Sequence, residues 1–129
     1  MNDNDIKIIA PVVSIPVECA MDRMIARDTA RRVAGALGFM PAIQAQIGSV
    51  TLYVADLLLN NGDTYELNFF GVRDNTNTGM CLNSPVWWED SGTPDKILEA
   101  LQAKFAKLVD EVEFQADQES PVLLTFWQK

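Results

Sequence analysis

The basic residues of the segment 21–37 have the type and spacing of a surface that binds an acidic partner. They are Arg23, Arg27, Arg31 and Arg32. The first three recur every four residues and therefore share one face of a predicted α-helix, and the fourth lies alongside. Two interpretations are open. The row is either a solvated face, balanced in part by Asp22 and Asp28, or a docking stripe for an acidic partner protein.

The sequence contains no histidine. It therefore lacks the commonest general base and the commonest zinc ligand, which excludes histidine-based catalytic triads and histidine-based metal sites. Its net charge of −8 argues against nucleic acid as a partner. Cys19 and Cys81 are too few and too far apart for a disulfide framework, so we expect both to be reduced and buried. The sequence predicts no catalytic residue and no metal site.

A length of 129 residues predicts a single domain that spans residues 1–129. No apolar run reaches the ~18 residues that a membrane span requires, so no membrane association is predicted. Residues 1–5 are acidic, unlike the basic start of a secretory signal. We therefore expect a cytoplasmic protein.

The elements that would position the arginines are organised around a long helix predicted within the segment 38–62. Its apolar residues recur in alternating steps of four and three at Ile43, Ile47, Val50, Val54 and Leu57. Gly38 is expected to end the preceding helix, Pro41 suits a first helical turn, and residues 60–62 are a stop signal. Further leucines widen the apolar arc, so we expect this helix to be buried on more than one side.

Short β-branched runs predict strands on both sides of the two helices. Residues 6–9 and 12–17 indicate a strand, a break and a second strand, and their prolines place them at a sheet edge or at strand ends. Residues 64–72 predict a strand that a polar turn joins to an antiparallel partner at 80–89. Trp87 and Trp88 point to opposite faces of that partner, so one belongs to the core and the other is covered by a helix, a loop or another protein.

A third helix is predicted from Thr93 as N-cap to about residue 111, followed by strands at 111–116 and 121–127. Its buried side would carry Ile97, Leu101, Phe105, Leu108 and Val112. The resulting order β, α, α, β, β, α, β, β predicts a two-layer α/β sandwich, with three helices on one face of a mixed, mostly antiparallel sheet. We expect the core to contain Ile47, Val50, Val54, Phe69, Leu101, Phe105 and Leu108.

The run 22–39 (DRMIARDTARRVAGALGF), followed by 44–47 (QAQI), resembles the small bacterial anti-sigma-factor serine/threonine kinases, or switch kinases. These kinases are GHKL ATPases with the Bergerat fold. The helix-to-strand junction at 110–112 and the closing strand at 125–127 are also similar to that family. The resemblance follows nearly the whole chain in order and implies a Bergerat-like fold and a role in partner-switching regulation.

The chemistry of that family needs a Glu and an Asn, four residues apart on one helical face, which position water and hold Mg²⁺ against the phosphates. In register with the resemblance, those places hold Tyr53 and Leu57. Neither side chain ligates a hard cation. The resemblance therefore implies a helix at this position that packs and does not bind metal.

The family also carries an Asp-x-Gly box that binds adenine and a glycine-rich lid that closes over the triphosphate. Asp90 and Gly92 stand where the box is expected, and they serve either as a retained base-binding site or as a helix cap and turn. No glycine follows Gly92, so the backbone amides that would cradle the phosphates are lost with the lid. The resemblance therefore implies a degenerate nucleotide site with no cofactor.

Three functions compete on these grounds. The first is a non-catalytic regulatory module that binds a sigma factor, a STAS-type protein or a kinase through Arg23, Arg27, Arg31 and an exposed Trp87 or Trp88. The second is an ATP- and Mg²⁺-dependent serine/threonine kinase with a shortened site around Asp90. The third is a structural subunit that only self-associates, since the kinases that the chain resembles often form homodimers.

Overall fold

The computed structural model describes residues 6–60, 65–84, 99, 102–105, 108–114 and 122–128. Two helices and five strands lie in this part of the chain. In chain order they are β1 (Lys7–Val17), α1 (Ala20–Ala36), α2 (Pro41–Asn60), β2 (Tyr65–Arg73), β3 (Thr78–Ser84), β4 (Glu111–Phe114) and β5 (Val122–Trp127). Glu99 and residues 102–105 are helical as well. No helix of the described residues has the length and apolar character to cross a membrane.

The five strands form one sheet in the order β1-β2-β3-β5-β4, so β1 and β4 are its edges among the described strands. Every pairing within the sheet is antiparallel. The predicted sheet is thus confirmed, and the described part of it is antiparallel throughout. Short connections such as 74–77, between β2 and β3, favour this pairing because a tight turn reverses the chain between neighbouring strands.

β1 is one strand, where the sequence analysis predicted two strands separated by a break. The prediction is wrong about continuity, because pairing with β2 runs from Lys7 to Val17. The proline-containing stretch appears instead as a register shift between Ile9 and Val12, where the Ala10–Pro11 peptide bond is cis. The two extra residues, Ala10 and Pro11, are tolerated in an edge strand, because only one neighbouring described strand must follow the irregularity. The predicted edge position of this segment is confirmed.

The helices lie on one face of the sheet and enclose the core. Leu67 and Phe69 of β2 are fully buried, as are Ile47, Val50 and Val54 of α2, and all belong to one apolar cluster. The expected core is therefore confirmed at these positions. Phe105 and Leu108 are partly buried against the same cluster, and Leu101 lies outside the described residues. The layers form a two-layer α+β sandwich.

The ends of α1 are fixed by local backbone chemistry. Asp22 accepts hydrogen bonds from the backbone N–H groups of Glu18 (2.8 Å) and Cys19 (3.2 Å), which satisfies donors ahead of the first turn. At the other end, Gly38 has φ of +93° and its N–H donates to the Gly35 carbonyl, while the N–H of Phe39 donates to the Ala34 carbonyl. This pair of bonds is a Schellman motif, and its left-handed residue favours glycine. The prediction that Gly38 ends the helix is confirmed.

The third helix ends before residue 109, a little earlier than predicted, and the strand predicted from residue 111 is confirmed at its start. Residues 102–105 are helical, but Glu111 and the following residues already pair with β5. The Asp110 carboxylate accepts the N–H of Trp127 at 2.7 Å, and the Asp110 N–H donates to the Thr125 carbonyl at 2.9 Å. Asp110 forms these hydrogen bonds to β5 in place of hydrogen bonds within a helix. The backbone must already be extended at this point, because the next residue pairs with β5. Val112, expected on the helix, therefore lies in β4 opposite Leu124.

The two cysteines lie in different surroundings. Both are free, as expected, but only Cys81 is buried. Its Sγ lies 3.5 Å from the hydroxyl of Thr125, the residue opposite it on β5. Cys19 is exposed, so its predicted burial is wrong. The reason is its place at the N-cap of α1, where the chain leaves the sheet and the side chain is not directed into the core.

Candidate functional site

The side of α1 that faces α2 carries the predicted arginine row. The Arg23 guanidinium lies 2.6 Å from the Asp56 carboxylate of α2, and its Nε donates to the Ala20 carbonyl at 3.1 Å. Arg23 and Asp56 are 37% and 44% exposed, so this ion pair lies at the surface and is worth no more than about 1 kcal/mol. Arg23 is thus already engaged by a carboxylate of its own chain.

The next two arginines of the row cover the place where α1 crosses α2. The Arg27 guanidinium lies 3.1 Å from Asp28. A methyl group placed on Gly48 of α2 would come within 2.9 Å of Arg31 Cγ and 3.2 Å of Arg27 Cγ. The aliphatic stems of both arginines therefore pack over Gly48, while their charged ends extend towards water.

Arg32 belongs to a different side of α1. A cleft of about 460 Å³ separates this side from the edge strand β1. The described residues that line it are Pro11, Val13, Ile15, Thr29, Arg32 and Val33. We call this cleft the β1–α1 groove. Four of these six residues are apolar aliphatic or proline side chains, and Arg32 supplies the charge.

A second, more polar cleft continues from the same arginine. It measures about 410 Å³ and is lined by Asp28, Arg31, Arg32, Gly35 and Gln44. Arg31 and Arg32 are exposed, and neither forms an ion pair or hydrogen bond within the part of the chain that the structure describes. Arg32 therefore stands between an apolar groove and a polar cleft, and its charge is open to a ligand from outside.

Large exposed apolar side chains occur in the first 40 residues, which include β1 and α1, the two elements that border the groove. Among the described residues they are Ile6, Ile8, Val12, Met21, Met24, Ile25 and Met40. All of them belong to β1 and the residue before it, to α1, or to the residue before α2. Scattered exposed apolar residues are ordinary, but several of them on two neighbouring elements, β1 and α1, make this part of the molecule a candidate interaction site.

Tyr53 is the residue that the sequence resemblance aligns with a metal-binding glutamate. Its ring makes an edge-to-face contact with Phe105, with centroids 5.8 Å apart, and the Lys104 ammonium lies 5.1 Å from the Tyr53 ring centroid. This side chain packs α2 against the helical residues 102–105. The side chain of Leu57 lies outside the described ones. No group of three or more Cys, Asp or Glu side chains with the geometry of a metal site occurs among the described residues.

Four of the residues singled out by the sequence lie outside the described part of the chain. They are Trp87, Trp88, Asp90 and Gly92. The predictions that Asp90 and Gly92 bind a nucleotide base or cap a helix, and that a tryptophan contacts a partner, stay predictions. The structure places Arg23, Arg27 and Arg31 on one face of α1, as their spacing indicated, and this face lies along α2, which was not predicted.

Two exposed carboxylates have lowered pKa values. A hydrogen bond from the Glu18 N–H holds the pKa of Asp22 below its ordinary value, and one from Cys19 adds to the effect. In the turn between β2 and β3, the N–H groups of Thr76 and Asn77 lower the pKa of Asp74 in the same way. In both cases the bonded amides favour the charged carboxylate. These groups stabilise local structure and lie away from the two clefts.

A comparison with models of known protein families and with curated proteins finds no match to this chain. The relation to the GHKL kinases therefore rests on the sequence resemblance alone. The sequence analysis identified the arginine row but placed Arg32 with it and did not find the β1–α1 groove. A signal for the groove was present in the alternation of Val13, Ile15 and Val17 along an edge strand, but the helix that forms its second wall is set by tertiary packing.

Proposed function

We propose that this chain is a non-catalytic regulatory module of the cytoplasm that binds another protein through the surface formed by β1 and α1. The resemblance to switch kinases suggests partner switching with a sigma factor, a STAS-type protein or a kinase. The observation that carries the proposal is the concentration of exposed apolar side chains on β1 and α1, beside two arginines that have no carboxylate partner among the described residues. A folded regulatory module with a degenerate Bergerat-like fold accounts for both features.

The charge distribution supports a protein partner over a small ligand. The chain has a net charge of −8, yet Arg31 and Arg32 lie exposed next to Met24 and Ile25 on the same helix. Apolar area at the centre of a contact and charges at its rim are typical of protein–protein interfaces, where charges contribute mainly to association rate and specificity. The packing of Tyr53 against Phe105 further supports a structural role for the position where the kinases hold metal.

The test uses purified candidate partners encoded beside the gene, because components of partner-switching systems usually sit side by side. Wild-type chain is immobilised, and association is measured at several salt concentrations. We expect Arg23→Glu, Arg27→Glu and Arg31→Glu together to slow association, because a cationic surface steers an acidic partner over roughly a Debye length of ~8–10 Å. The wild-type association rate should fall as salt rises.

The control is Lys104→Glu, which reverses one charge on the helical residues 102–105 and is compared with the single variant Arg31→Glu, which reverses one charge in the arginine row. A partner that binds the triple variant and the wild type at the same rate would contradict a role for the arginine row and leave these arginines as a solvated face. If none of the candidate partners binds the wild-type chain, the proposed partner classes are wrong.

The kinase alternative is tested with nucleotide. With ATP at ~1 mM and Mg²⁺, we expect no change in the melting temperature beyond the scatter of the measurement. A ligand present at a hundred times its Kd would add ~2.7 kcal/mol, which corresponds to several degrees in a domain of this size. A saturable shift with ATP that Asp90→Asn abolishes would overturn the non-catalytic proposal.

A further inference from the structure

β1 is a long strand with a free edge. It pairs with β2 on one side only, and no other described strand lies on its outer side. An edge strand presents a row of backbone N–H and C=O groups that another chain can pair with. Pro11 and Pro16 have no backbone N–H group, so they cannot donate a hydrogen bond to an added strand. Residues 12–15 contain no proline and keep their backbone N–H groups.

The face of β1 that turns towards the helices opens into the β1–α1 groove. Val13 and Ile15 pair with the buried residues Phe69 and Leu67, so they lie on the helix-covered face of the sheet. Both are only half-buried, and no other strand of the described residues continues the sheet beside them. A strand added to β1 would place every second side chain in this groove, between β1 and the α1 residues Thr29 and Val33.

The opposite face of β1 is also left uncovered. Ile8 and Val12 pair with Val72 and Phe70 and are each 66% exposed, although Val72 itself is only 3% exposed. Val72 pairs with described strands on both sides, β1 and β3, whereas Ile8 and Val12 pair with β2 alone among the described strands. A strand added to β1 would cover apolar side chains on both faces at once. A ligand that only filled the groove would leave Ile8 and Val12 exposed.

Arg32 gives this site a charge preference. α1 follows β1 through a short turn at 18–19 and runs back along it, so the later turns of α1 lie beside the earlier residues of the strand. Arg32 therefore lies near Pro11 at one end of the groove, while Ile25, which is 45% exposed, extends α1 towards the other end. A carboxylate on the added strand would meet Arg32, which has no partner among the described residues.

We propose that the β1–α1 groove binds an extended segment of a partner protein, which pairs with β1 as an additional strand. Alternate side chains of that segment are apolar and enter the groove, and an Asp or Glu contacts Arg32. This inference rests on the proposed function and deepens it, because it states how the partner is recognised and with which chemistry. Its surface lies on the opposite side of α1 from the contacts of Arg23 with Asp56.

The first experiment selects binders from a display library of random peptides of about ten residues, which span most of a strand the length of β1 at ~3.3 Å per residue. We expect enriched sequences with apolar residues at alternate positions and an Asp or Glu near one end. A labelled consensus peptide then reports its affinity for the full chain by fluorescence anisotropy. Arg32→Glu should weaken binding about tenfold or more, since a charge-assisted contact becomes a repulsion.

Matched variants and peptides make the result specific. Lys104→Glu makes the same charge change as Arg32→Glu but away from the groove, so it should leave the affinity for the peptide unchanged. A peptide with Lys in place of its acidic residue should bind Arg32→Glu more tightly than it binds the wild type. Thr29→Trp, which fills the groove, should also abolish binding. Its melting temperature shows whether the variant is folded.

Backbone methylation tests strand addition itself. Two isomers of the consensus peptide carry N-methyl groups on alternate residues, one on the set whose amides face β1 and one on the other set. One isomer should lose binding and the other should retain it, because only one edge of the added strand pairs. Equal binding of both isomers would overturn strand addition, as would a selection in which no enriched peptide depends on Arg32.

The outcomes also separate this inference from the proposed function. A purified partner that binds with unchanged affinity to Arg32→Glu and to Thr29→Trp would overturn the groove as the recognition site, and the chain would still be a partner-binding module. A groove that binds peptides as described, together with a chain that binds none of the candidate proteins, would overturn the proposed partner classes and retain the strand-binding site.

Discussion

The two sides of α1 carry the same type of charged residue in different surroundings. On the side that faces α2, Arg23 contacts Asp56, and the stems of Arg27 and Arg31 pack over Gly48. On the side that faces β1, Arg32 borders an open groove. The first side, the closed side, is covered by α2. The second side, the groove side, faces β1, the edge strand of the described sheet. Residue type and spacing therefore do not distinguish an occupied arginine from an available one.

The two sides of α1 are also expected to differ in how substitutions affect stability and partner binding. Groups on the closed side contribute to the packing of α1 on α2, and their exposed ion pairs add little energy. The exposed groups on the groove side, Arg32 and Ile25, contribute little to folding, because water already surrounds much of their surface. Breaking the ion pair of Arg23 on the closed side should therefore lower stability slightly, whereas a charge reversal of Arg32 on the groove side should leave stability nearly unchanged.

The largest expected contrast is between a carboxylate in the core and one on the groove side. Val54→Asp in α2 should unfold the chain, because Val54 is fully buried and an unpaired carboxylate there costs several kcal/mol. Ile25→Asp on the groove side should change the free energy of unfolding by no more than about 0.5 kcal/mol, since Ile25 is exposed. Urea denaturation followed by circular dichroism measures both. Native-like unfolding of Val54→Asp would show that the two-layer packing is described wrongly.

A smaller contrast is expected between two charge reversals. Arg23→Glu should lower the free energy of unfolding by about 1 kcal/mol, because the ion pair with Asp56 becomes a repulsion at a partly exposed site. Arg32→Glu should leave stability nearly unchanged. Combining Arg23→Glu with Asp56→Arg should restore most of the loss, which a double-mutant cycle measures. Equal losses for Arg23→Glu and Arg32→Glu would remove the distinction between the two sides.

The smallest expected effect is a pH dependence at the start of α1, which both sides share. The pKa of Asp22 is lowered in the folded chain, so its charged form stabilises the helix above the ordinary aspartate pKa of about 3.9. That stabilisation is lost as the pH falls through the lower folded-state pKa. The melting temperature of wild type should exceed that of Asp22→Ala at neutral pH, and the difference should shrink below about pH 4. A difference that stays constant across this range would contradict the role of the Asp22 charge.

Much of the fold is predictable because it depends on local rules. The alternating apolar spacing identified the buried positions of α2, and Gly38 identified the end of α1. The end of the third helix was predicted wrongly, because the bonds between Asp110 and β5 involve residues far apart in sequence. The continuity of β1 was missed for a similar reason, since pairing with β2 carries the strand across its proline through a register shift.

The candidate site could be predicted from the sequence only in part. The sequence by itself determined the arginine spacing on α1, the apolar alternation of β1 and a position at the sheet edge, because helix and strand periodicities are properties of the local backbone. Only the tertiary structure decided that Arg23 forms an ion pair with Asp56, more than thirty residues away, and that Arg32 faces a groove. Whether an arginine of α1 forms an ion pair depends on the angle at which α1 crosses α2. Whether it borders a groove depends on which side of β1 pairs with a described strand. Both depend on how the whole core packs.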